Sequence, residues 1–177
     1  MFRLPLTRFY FRPTIFTDVC LALGVWERYA LEVFTPKKGD IVIDIGAHIG
    51  YYTIVASKKV GVEGLVIAIE PDHRNIEILR RNTNYLGNVR IIECAISSRL
   101  GYADLMLGGD PAYSQLLEYV KDRTPRTNNY RRVEIKTLDI LCDELNIKPN
   151  WLKIDVEDAS AEIPKAQRIP FKAKLKS

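Results

Sequence analysis

The sequence predicts an α/β fold in which helices cover both faces of a parallel β-sheet. Short apolar runs alternate with segments of helical spacing after residue 39, a rhythm typical of strands joined by right-handed helical crossovers. The first runs are apolar at nearly every position rather than at alternate ones, which indicates strands buried on both faces. We therefore expect a single domain, residues 1–177, built around such a sheet.

A leading helical segment is predicted for residues 1–38. Apolar residues between Thr17 and Phe34 recur near helical spacing, and Thr17 with Asp18 can cap the start of the helix. Pro36 then interrupts the pattern. We expect this helix to pack on the rest of the domain.

The core elements begin at residue 39. Three apolar runs predict strands, and the two segments between them have helical spacing with glycine at their ends. In order, the pattern predicts a strand at Ile41–Ile45, a helix at Tyr51–Val60 that ends at Gly61, a strand at Leu65–Ile69, a helix that Asp72 caps and Gly87 ends, and a strand at Val89–Cys94.

The alternation changes after the third strand. Two strand-like segments separated by a long polar stretch predict an inserted antiparallel pair. The remaining elements are, in order, the strand-like segments Tyr102–Leu107 and Arg131–Leu138, a short helix that begins at Thr137 or Asp139, a buried strand at Trp151–Asp155, and an irregular basic tail at residues 158–177.

Composition excludes several classes of protein. Apolar residues make up 47% of the chain and charged residues 27%, as in ordinary globular proteins, and a net charge of +4 does not indicate a nucleic-acid partner. The three cysteines are far apart, without the spacing of a zinc site or of a disulfide framework. The N-terminus lacks the unbroken apolar centre of a signal peptide, and the longest uncharged stretch, Ile45–Ser57, is too short to span a bilayer. We expect a soluble cytoplasmic protein with no membrane partner.

Polar groups follow several predicted strands at their carboxyl ends. Asp44, Glu70, the segment 93–95 and Asp155 all occupy such positions. Ligands of open α/β sheets bind at this edge, at the point where neighbouring crossovers diverge. Four strands are therefore expected to present polar groups to one ligand site.

The segment DIGAHIGYYT, residues 44–53, follows the first strand and carries two glycines with three residues between them. Gly46 and Gly50 let a ligand approach the backbone without interference from a Cβ atom. The helix that begins near Tyr51 points its first N–H groups toward the same place. The segment predicts a loop that holds a ligand.

The spacing of this loop argues against two common nucleotide cofactors. Nicotinamide dinucleotides are typically bound by G-x-G-x-x-G, and here His48 fills the slot of the second glycine. The lysine and hydroxyl residue of a phosphate-binding P-loop are absent too. Asp44 suits a cationic ligand better than a pyrophosphate, and Glu70 can accept hydrogen bonds from both ribose hydroxyls. A nucleoside with a cationic tail and no phosphate meets these conditions, and S-adenosylmethionine is that molecule.

The motifs DIGAHIGYYT, VIAIEPD, NVRIIECAIS, VEIKTLD and WLKIDVE occur in the order and approximate spacing of one family. From about Trp26 to Glu162 the sequence resembles the FkbM-like family of S-adenosylmethionine-dependent methyltransferases. The resemblance implies a class I methyltransferase fold, Rossmann-like, with residues 39–157 as its cofactor-binding core, and O-methylation of a hydroxyl on a small molecule or sugar. It implies that the cofactor is bound by Asp44, Gly46, Ala47, His48, Gly50, Glu70, Pro71, Cys94, Ala95 and Ile96.

The resemblance also places Asp155 and Glu157 at the transfer centre. The sulfonium already activates the methyl group, so the protein must align the acceptor and help to remove its proton. Asp155 is expected to act as the base or as a substrate anchor, and Lys153, on the same face of the strand, to position it or offset its charge. A purely structural ion pair of Asp155 with Lys153 or Arg168 is the open alternative. Two carboxylates without a histidine do not predict a metal site.

The sequence departs from the family after WLKIDVE. Asp158 and Ser160 stand where the family has glycine and an acid, and Pro164 falls inside the expected helix. A full sheet of this class has seven strands, and we expect the last three to be missing. An uncovered strand edge favours association, so we expect a homo-oligomer that covers it.

Two alternatives to an active small-molecule methyltransferase remain open. The irregular C-terminal sequence favours a catalytically silent module of the same fold that acts by binding a partner. A nucleic-acid methyltransferase has less support, because the sequence lacks an Asn-Pro-Pro-Tyr type of motif for methylation of base amino groups.

Overall fold

The computed structural model describes residues 9–23, 32–117 and 129–155. Two four-stranded sheets form its framework, with strand orders β3-β2-β1-β8 and β4-β7-β5-β6. The strands are β1 (Ile41–Ile45), β2 (Leu65–Ile69), β3 (Val89–Ile92), β4 (Ala95–Ile96), β5 (Gly101–Met106), β6 (Gln115–Leu116), β7 (Tyr130–Lys136) and β8 (Trp151–Ile154).

Four α-helices and one short 3₁₀ helix have both ends within the described residues. They are α1 (Phe16–Leu23), α2 (Tyr51–Val60), α3 (His73–Thr83), the 3₁₀ helix Pro111–Tyr113 and α4 (Leu138–Leu145). Side chains cap two of the α-helices: Asp72 accepts a hydrogen bond from the backbone N–H of Arg74, and Thr137 accepts one from that of Ile140.

All the strands of the first sheet are parallel, as the sequence predicts. The chain leaves β1 to form β2 on one side, whereas β8 pairs on the other side, so the crossovers diverge between β1 and β8. Asp44 pairs with Ala68 of β2 and with Lys153 of β8. The last residues of β1 therefore lie at the position where open α/β sheets bind ligands.

Helices cover both faces of this sheet, because successive strand residues point to opposite sides. Ile43 and Ile45 pack with Leu138 and Leu141 of α4 on one face. Val42 packs on the other face, in a cluster that includes α2, Phe34 and Trp151. Full burial of each such side chain contributes about 1.5–3 kcal/mol, so the two layers together hold the carboxyl edge of the sheet in place.

The inserted antiparallel pair is present, as β5 and β7. The structure adds two short strands to it, because β4 pairs in parallel with β7 and β6 pairs with β5. The third strand of the first sheet was predicted too long. It ends at Ile92 rather than Cys94, since the chain bends at residues 93–94 and enters the second sheet at Ala95.

Other predicted boundaries also move. The third helix ends at Thr83, three residues before Leu86, and β7 stops at Lys136 because Thr137 already caps α4. The leading helix is present at Phe16–Leu23, whereas Phe34 is not helical but lies buried against the sheet. Residues 24–31, in the middle of the predicted leading helix, lie outside the described residues.

The C-terminal predictions fall beyond residue 155. Glu157, the departures at Asp158, Ser160 and Pro164, the basic tail and any later strands lie outside the described residues. In the described ranges, no helix has both the length and the apolar character needed to cross a membrane.

Candidate functional site

The loop after β1 crosses to the neighbouring strand and is tied to it. The backbone N–H groups of Gly46 and Ala47 both donate to the carbonyl of Ile69 at 3.0 Å. Gly46 has φ +74°, His48 φ +51° and Gly50 φ +93°, so three positions of this loop are in the left-handed region. The loop therefore lies directly beside the end of β2, where Glu70 follows Ile69.

Gly50 has a packing role that was not predicted. A Cβ atom added at Gly50 would lie 2.6 Å from Leu79 Cδ1, and Gly50 itself has φ +93°. The missing side chain thus lets α3 pack closely against the start of α2. Contact of a ligand with the backbone of Gly46 or Gly50 stays a prediction.

Asp44 lies inside the fold, at the end of β1. Its side chain is 1% exposed, and Thr53 Oγ1 of α2 donates a hydrogen bond of 2.7 Å to Asp44 Oδ2. Lys153 Nζ lies 3.1 Å from the other carboxylate oxygen. The predicted partner of a cationic ligand is therefore already paired with a cation of the protein.

Lys153 connects β8 to the loop. Its Nζ donates to the carbonyl oxygen of Gly46 at 2.9 Å, lies 3.5 Å from Asp155 Oδ2, and stands 5.0 Å from the ring centroid of Tyr52. The side chain is 3% exposed, whereas that of Asp155 is 37% exposed. Lys153 and Asp155 thus share a face of β8, as predicted, and the more accessible carboxylate is the one at the edge.

Glu70 at the end of β2 lies beside the loop and is surrounded by donors. It accepts hydrogen bonds from the backbone N–H of His48 (2.9 Å), the backbone N–H of Asp72 (3.0 Å) and the side-chain amide of Asn75 (3.2 Å). Burial raises the pKa of Glu70 to about 7, although these three hydrogen bonds favour the ionised form. Asp44 and Glu70 thus meet at one edge of the sheet.

The side chain of His48 points to the N-terminal segment. Its Nε2 lies 3.4 Å from Asp18 Oδ1 and 3.4 Å from Arg12 Nη2. Burial lowers the pKa of His48 to about 4, against the effect of the nearby Asp18 carboxylate. The imidazole is therefore neutral at pH 7, and the residue contributes its backbone N–H, rather than a charge, to the site.

An ion pair next to this loop was not predicted. Arg12 Nε lies 2.7 Å from Asp18 Oδ2, and Arg12 Nη2 donates to Asn75 Oδ1 at 2.9 Å, so the pair links α1 to α3. Asp18 was interpreted only as a helix cap. Because the six-residue spacing of Arg12 and Asp18 belongs to no regular element, no periodic signal could have revealed the pair.

The inserted segment 108–114 packs over the start of α3. Arg74 donates to the carbonyl of Gly108 (2.9 Å) and to Ser114 Oγ (3.1 Å), and Ser114 Oγ donates to Asp72 (2.8 Å). Burial alone raises the pKa of Asp72, but hydrogen bonds from Arg74 and Ser114 outweigh it and hold the pKa below its usual value. This segment thus forms one wall beside the end of β2.

Four predicted cofactor residues are less accessible than expected. Pro71 is half-buried between Glu70 and Asp72, while Cys94 and Ile96 lie in the core cluster of α4 and Ala95 in that of the second sheet. Burial raises the pKa of Cys94 to about 12, so its thiol stays protonated. A ligand at this turn would contact its backbone rather than these side chains.

A surface groove of ≈ 450 Å³ lies elsewhere, along the outer face of α3. It is lined by Arg12, Ile15, His73, Arg74, Glu77, Ile78, Arg81, Gly109 and Pro111. None of the predicted site residues belongs to it. Among the described residues, no group of three or more His, Cys, Asp or Glu side chains is placed to hold a metal ion.

Comparison with known proteins indicates the family. The model of the FkbM methyltransferase domain matches residues 44–163, about two thirds of the chain. Over 58 residues the chain is 41% identical to a probable cobalt-precorrin-6B C(15)-methyltransferase (decarboxylating) of Saccharolobus solfataricus, covering 33% of this chain and 29% of that protein. Over 55 residues it is 40% identical to a protein-L-isoaspartate O-methyltransferase of Thermotoga maritima, covering 31% and 17%. The matches span under a third of either relative.

A solved structure shows the same fold. The precorrin-6y C5,15-methyltransferase of Geobacter metallireducens GS-15 superposes with a TM-score of 0.53 at 15% identity, over 96% of this chain and 67% of that one. At this identity the likeness establishes the architecture only. It agrees with the predicted class I methyltransferase fold.

Proposed function

Because this chain belongs to the family of FkbM methyltransferase domains, we propose that it binds S-adenosylmethionine and transfers the methyl group to a hydroxyl of a small molecule or sugar. The observation that carries the proposal is the convergence of Asp44 and Glu70 at one edge of the sheet, with Gly46 between them. Members of this family use S-adenosylmethionine as their methyl donor. The acceptor class follows from the family resemblance.

The environment of Glu70 fits a nucleoside ribose. An ionised carboxylate has about four acceptor positions, and three of them are used by His48, Asp72 and Asn75. One acceptor position of the carboxylate is therefore left for a ribose hydroxyl, which would have to reach a side chain that is 5% exposed. A second hydroxyl would replace the weakest of the three bonds, the 3.2 Å bond from Asn75.

The environment of Gly46 fits the cationic end of such a molecule. The carbonyl of Gly46 and the carboxylates of Asp44 and Asp155 all lie within 3.5 Å of one ammonium group, that of Lys153. This set of oxygens favours a primary ammonium over any anion. The amino-acid arm of S-adenosylmethionine carries such an ammonium.

The cofactor, when bound, supplies a methyl group that its sulfonium has activated. The protein then has two tasks, alignment of the acceptor and removal of its hydroxyl proton. Asp155 is the described carboxylate suited to the second task, because it lies at the edge of the sheet and its side chain is 37% exposed. Lys153 Nζ lies 3.5 Å from Asp155 Oδ2, close enough to hold the carboxylate in one position.

Calorimetry with S-adenosylmethionine and S-adenosylhomocysteine tests the cofactor assignment. We expect both ligands to bind the wild type. Glu70→Gln should bind both ligands more weakly, because it loses the carboxylate assigned to the ribose. Glu63 is exposed at the opposite end of β2, so Glu63→Gln is the matched control and should bind as the wild type does. Absence of binding by the wild type would contradict the proposal and favour a silent module that acts through a partner.

A second experiment tests the acceptor class. The protein is incubated with methyl-labelled S-adenosylmethionine and panels of hydroxyl-bearing small molecules and sugars, and the position of the label is determined by NMR. We expect label on an oxygen of a hydroxyl group. Label found only on carbon, on a carboxylate or on added RNA would overturn the acceptor class while leaving the cofactor assignment in place.

A further inference from the structure

Lys153 places its ammonium in a pocket of oxygen atoms at the carboxyl edge of the sheet. We name this the ammonium site: Asp44 Oδ1 at 3.1 Å, the Gly46 carbonyl at 2.9 Å, Asp155 Oδ2 at 3.5 Å and the ring of Tyr52 at 5.0 Å. The Lys153 side chain is 3% exposed, so its charge is almost fully removed from water. Such burial is tolerated only because the site surrounds the charge with negative and polarised groups.

The chemistry of the ammonium site is general for primary ammonium groups. A carboxylate, a peptide carbonyl and an aromatic face each attract any R–NH₃⁺ group, whatever the rest of the molecule is. The contact between Lys153 and Asp44 is also poorly directed for a hydrogen bond. Asp44 Oδ1 is buried and accepts no well-directed hydrogen bond from any residue that the structure describes, although Lys153 Nζ is close to it. An ammonium that approached from another direction could donate a better-directed hydrogen bond to this oxygen.

We propose that the ammonium of Lys153 and the ammonium of the cofactor's amino-acid arm compete for this one site. The proposal rests on the proposed function, in which that arm lies against Gly46. Two cations cannot share the Gly46 carbonyl and Asp44, because like charges at this separation repel strongly in a buried environment. The cofactor therefore binds in full only after the Lys153 side chain has left the ammonium site.

Asp155 gives the displaced ammonium a second position. Its carboxylate is already 3.5 Å from Lys153 Nζ and is the more exposed of the two acids, with 37% of the side chain accessible against 1% for Asp44. The flexible four-carbon stem of lysine permits such a shift. Cofactor binding would then bring a positive charge closer to the acid that is assigned to the acceptor hydroxyl.

The test compares two ligands on two proteins. S-adenosylhomocysteine carries the ammonium, and its deamino analogue keeps the carboxylate but lacks the ammonium. In the wild type, Lys153 competes with the ligand's ammonium and reduces the affinity that this ammonium adds. We therefore expect the two dissociation constants to differ by about threefold or less. In Lys153→Met, the ammonium site has no internal occupant, and S-adenosylhomocysteine should bind about tenfold or more tightly than it does to the wild type, while the analogue should not gain.

Three results would overturn the proposal. If Lys153→Met weakens both ligands, Lys153 binds the carboxylate of the cofactor instead. If Lys153→Met leaves both affinities unchanged, Lys153 and the cofactor do not share a site. If the wild type binds the ligand with the ammonium more than about a hundredfold more tightly than the analogue, nothing competes with it. Binding of neither ligand by the wild type would instead be a failure of the proposed function.

Stability needs a separate control, because removal of Lys153 leaves a buried carboxylate without its cation. Lys136 of β7, on the second sheet, pairs with Glu144 of α4. Lys136→Met removes this lysine and should not alter the ligand preference. The double variant Asp44→Asn/Lys153→Met carries no buried charge at these two positions. If the single variant does not fold, the double variant should bind the two ligands about equally, and a retained preference for the ammonium would contradict the proposal.

Discussion

The backbone N–H of His48 donates a hydrogen bond of 2.9 Å to Glu70 Oε2. This bond joins the loop after β1 to the acid after β2, across the edge where the crossovers of the sheet diverge. It fixes the carboxylate toward the loop, and it requires the left-handed backbone of His48, with φ +51°. The predicted ligand residues of two strands are thus held together by the backbone of the loop, and not by a side-chain pair.

Glu70 and His48 should give opposite pH dependences of stability. Burial raises the pKa of Glu70 from 4.5 to about 7, so the folded state holds a proton that the unfolded chain releases, and this stability is lost as the pH rises from 4.5 to 7. Burial lowers the pKa of His48 from 6.5 to about 4, so its contribution is complete above pH 6.5 and is lost as the pH falls toward 4.

The variant Glu70→Gln should separate the contribution of Glu70 to the pH dependence of stability from that of His48. Each pH unit between the two pKa values of Glu70 is worth about 1.4 kcal/mol, so the free energy of unfolding of the variant should rise relative to the wild type by on the order of 3 kcal/mol between pH 4.5 and 7. Urea unfolding at several pH values in this range measures the difference. Parallel curves for the two proteins would mean that the pKa of Glu70 is not raised.

Gly50→Ala should destabilise the protein through packing. The added methyl group meets Leu79 Cδ1 at 2.6 Å, so we expect a loss of about 1–3 kcal/mol in the free energy of unfolding. Gly87→Ala is the control, because a Cβ there has nothing within 4 Å. In a Leu79→Ala background, the cost of Gly50→Ala should be smaller. An undiminished cost would assign the effect to the backbone angle of Gly50 alone.

The backbone of His48 can be tested with two substitutions that both remove the ring. Asparagine tolerates the left-handed region, whereas a β-branched residue does not. We expect His48→Val to be less stable than His48→Asn by about 1–2 kcal/mol in chemical unfolding. Equal stabilities would show that the loop relaxes to another backbone conformation at little cost.

Asp155→Asn should separate a catalytic from a structural role. If Asp155 removes the acceptor proton, kcat measured at saturating S-adenosylmethionine should fall by about a hundredfold or more, while the melting temperature stays close to that of the wild type. The residual activity should rise with pH, since acceptor ionisation then substitutes for the missing base. A variant with normal kcat and a lower melting temperature would support the structural ion pair with Lys153 instead.

The sequence was most informative where burial is uniform. The bounds of β1, α2 and β2 agree with the prediction at both ends, because a glycine or an acid limits each of them. The third strand was predicted too long, as Val89–Cys94, since no glycine or proline within it marks an end at Ile92. The bend at residues 93–94 that moves Ala95 into the second sheet depends on pairing with β7, which no local pattern records.

The candidate site was predictable in position but not in its internal contacts. Acids at the ends of parallel strands must meet at one edge, so Asp44 and Glu70 could be placed from the sequence. The contact of Gly50 with Leu79 and the ion pair of Arg12 with Asp18 arise from tertiary packing, to which a one-dimensional pattern is blind. The sequence predicted that Lys153 and Asp155 lie on the same face of the strand. It did not predict that the ammonium of Lys153 binds the carbonyl of Gly46.

The central claim is that Glu70 and the loop at Gly46 together hold the nucleoside and the amino-acid arm of one cofactor. A crystal structure of the chain with S-adenosylhomocysteine bound tests it most directly. We predict that a ribose hydroxyl lies within hydrogen-bond distance of the Glu70 carboxylate and that the amino-acid arm lies against Gly46. A nucleoside bound elsewhere, such as in the groove along α3, with only His48, Asp72 and Asn75 still bonded to Glu70, would contradict it.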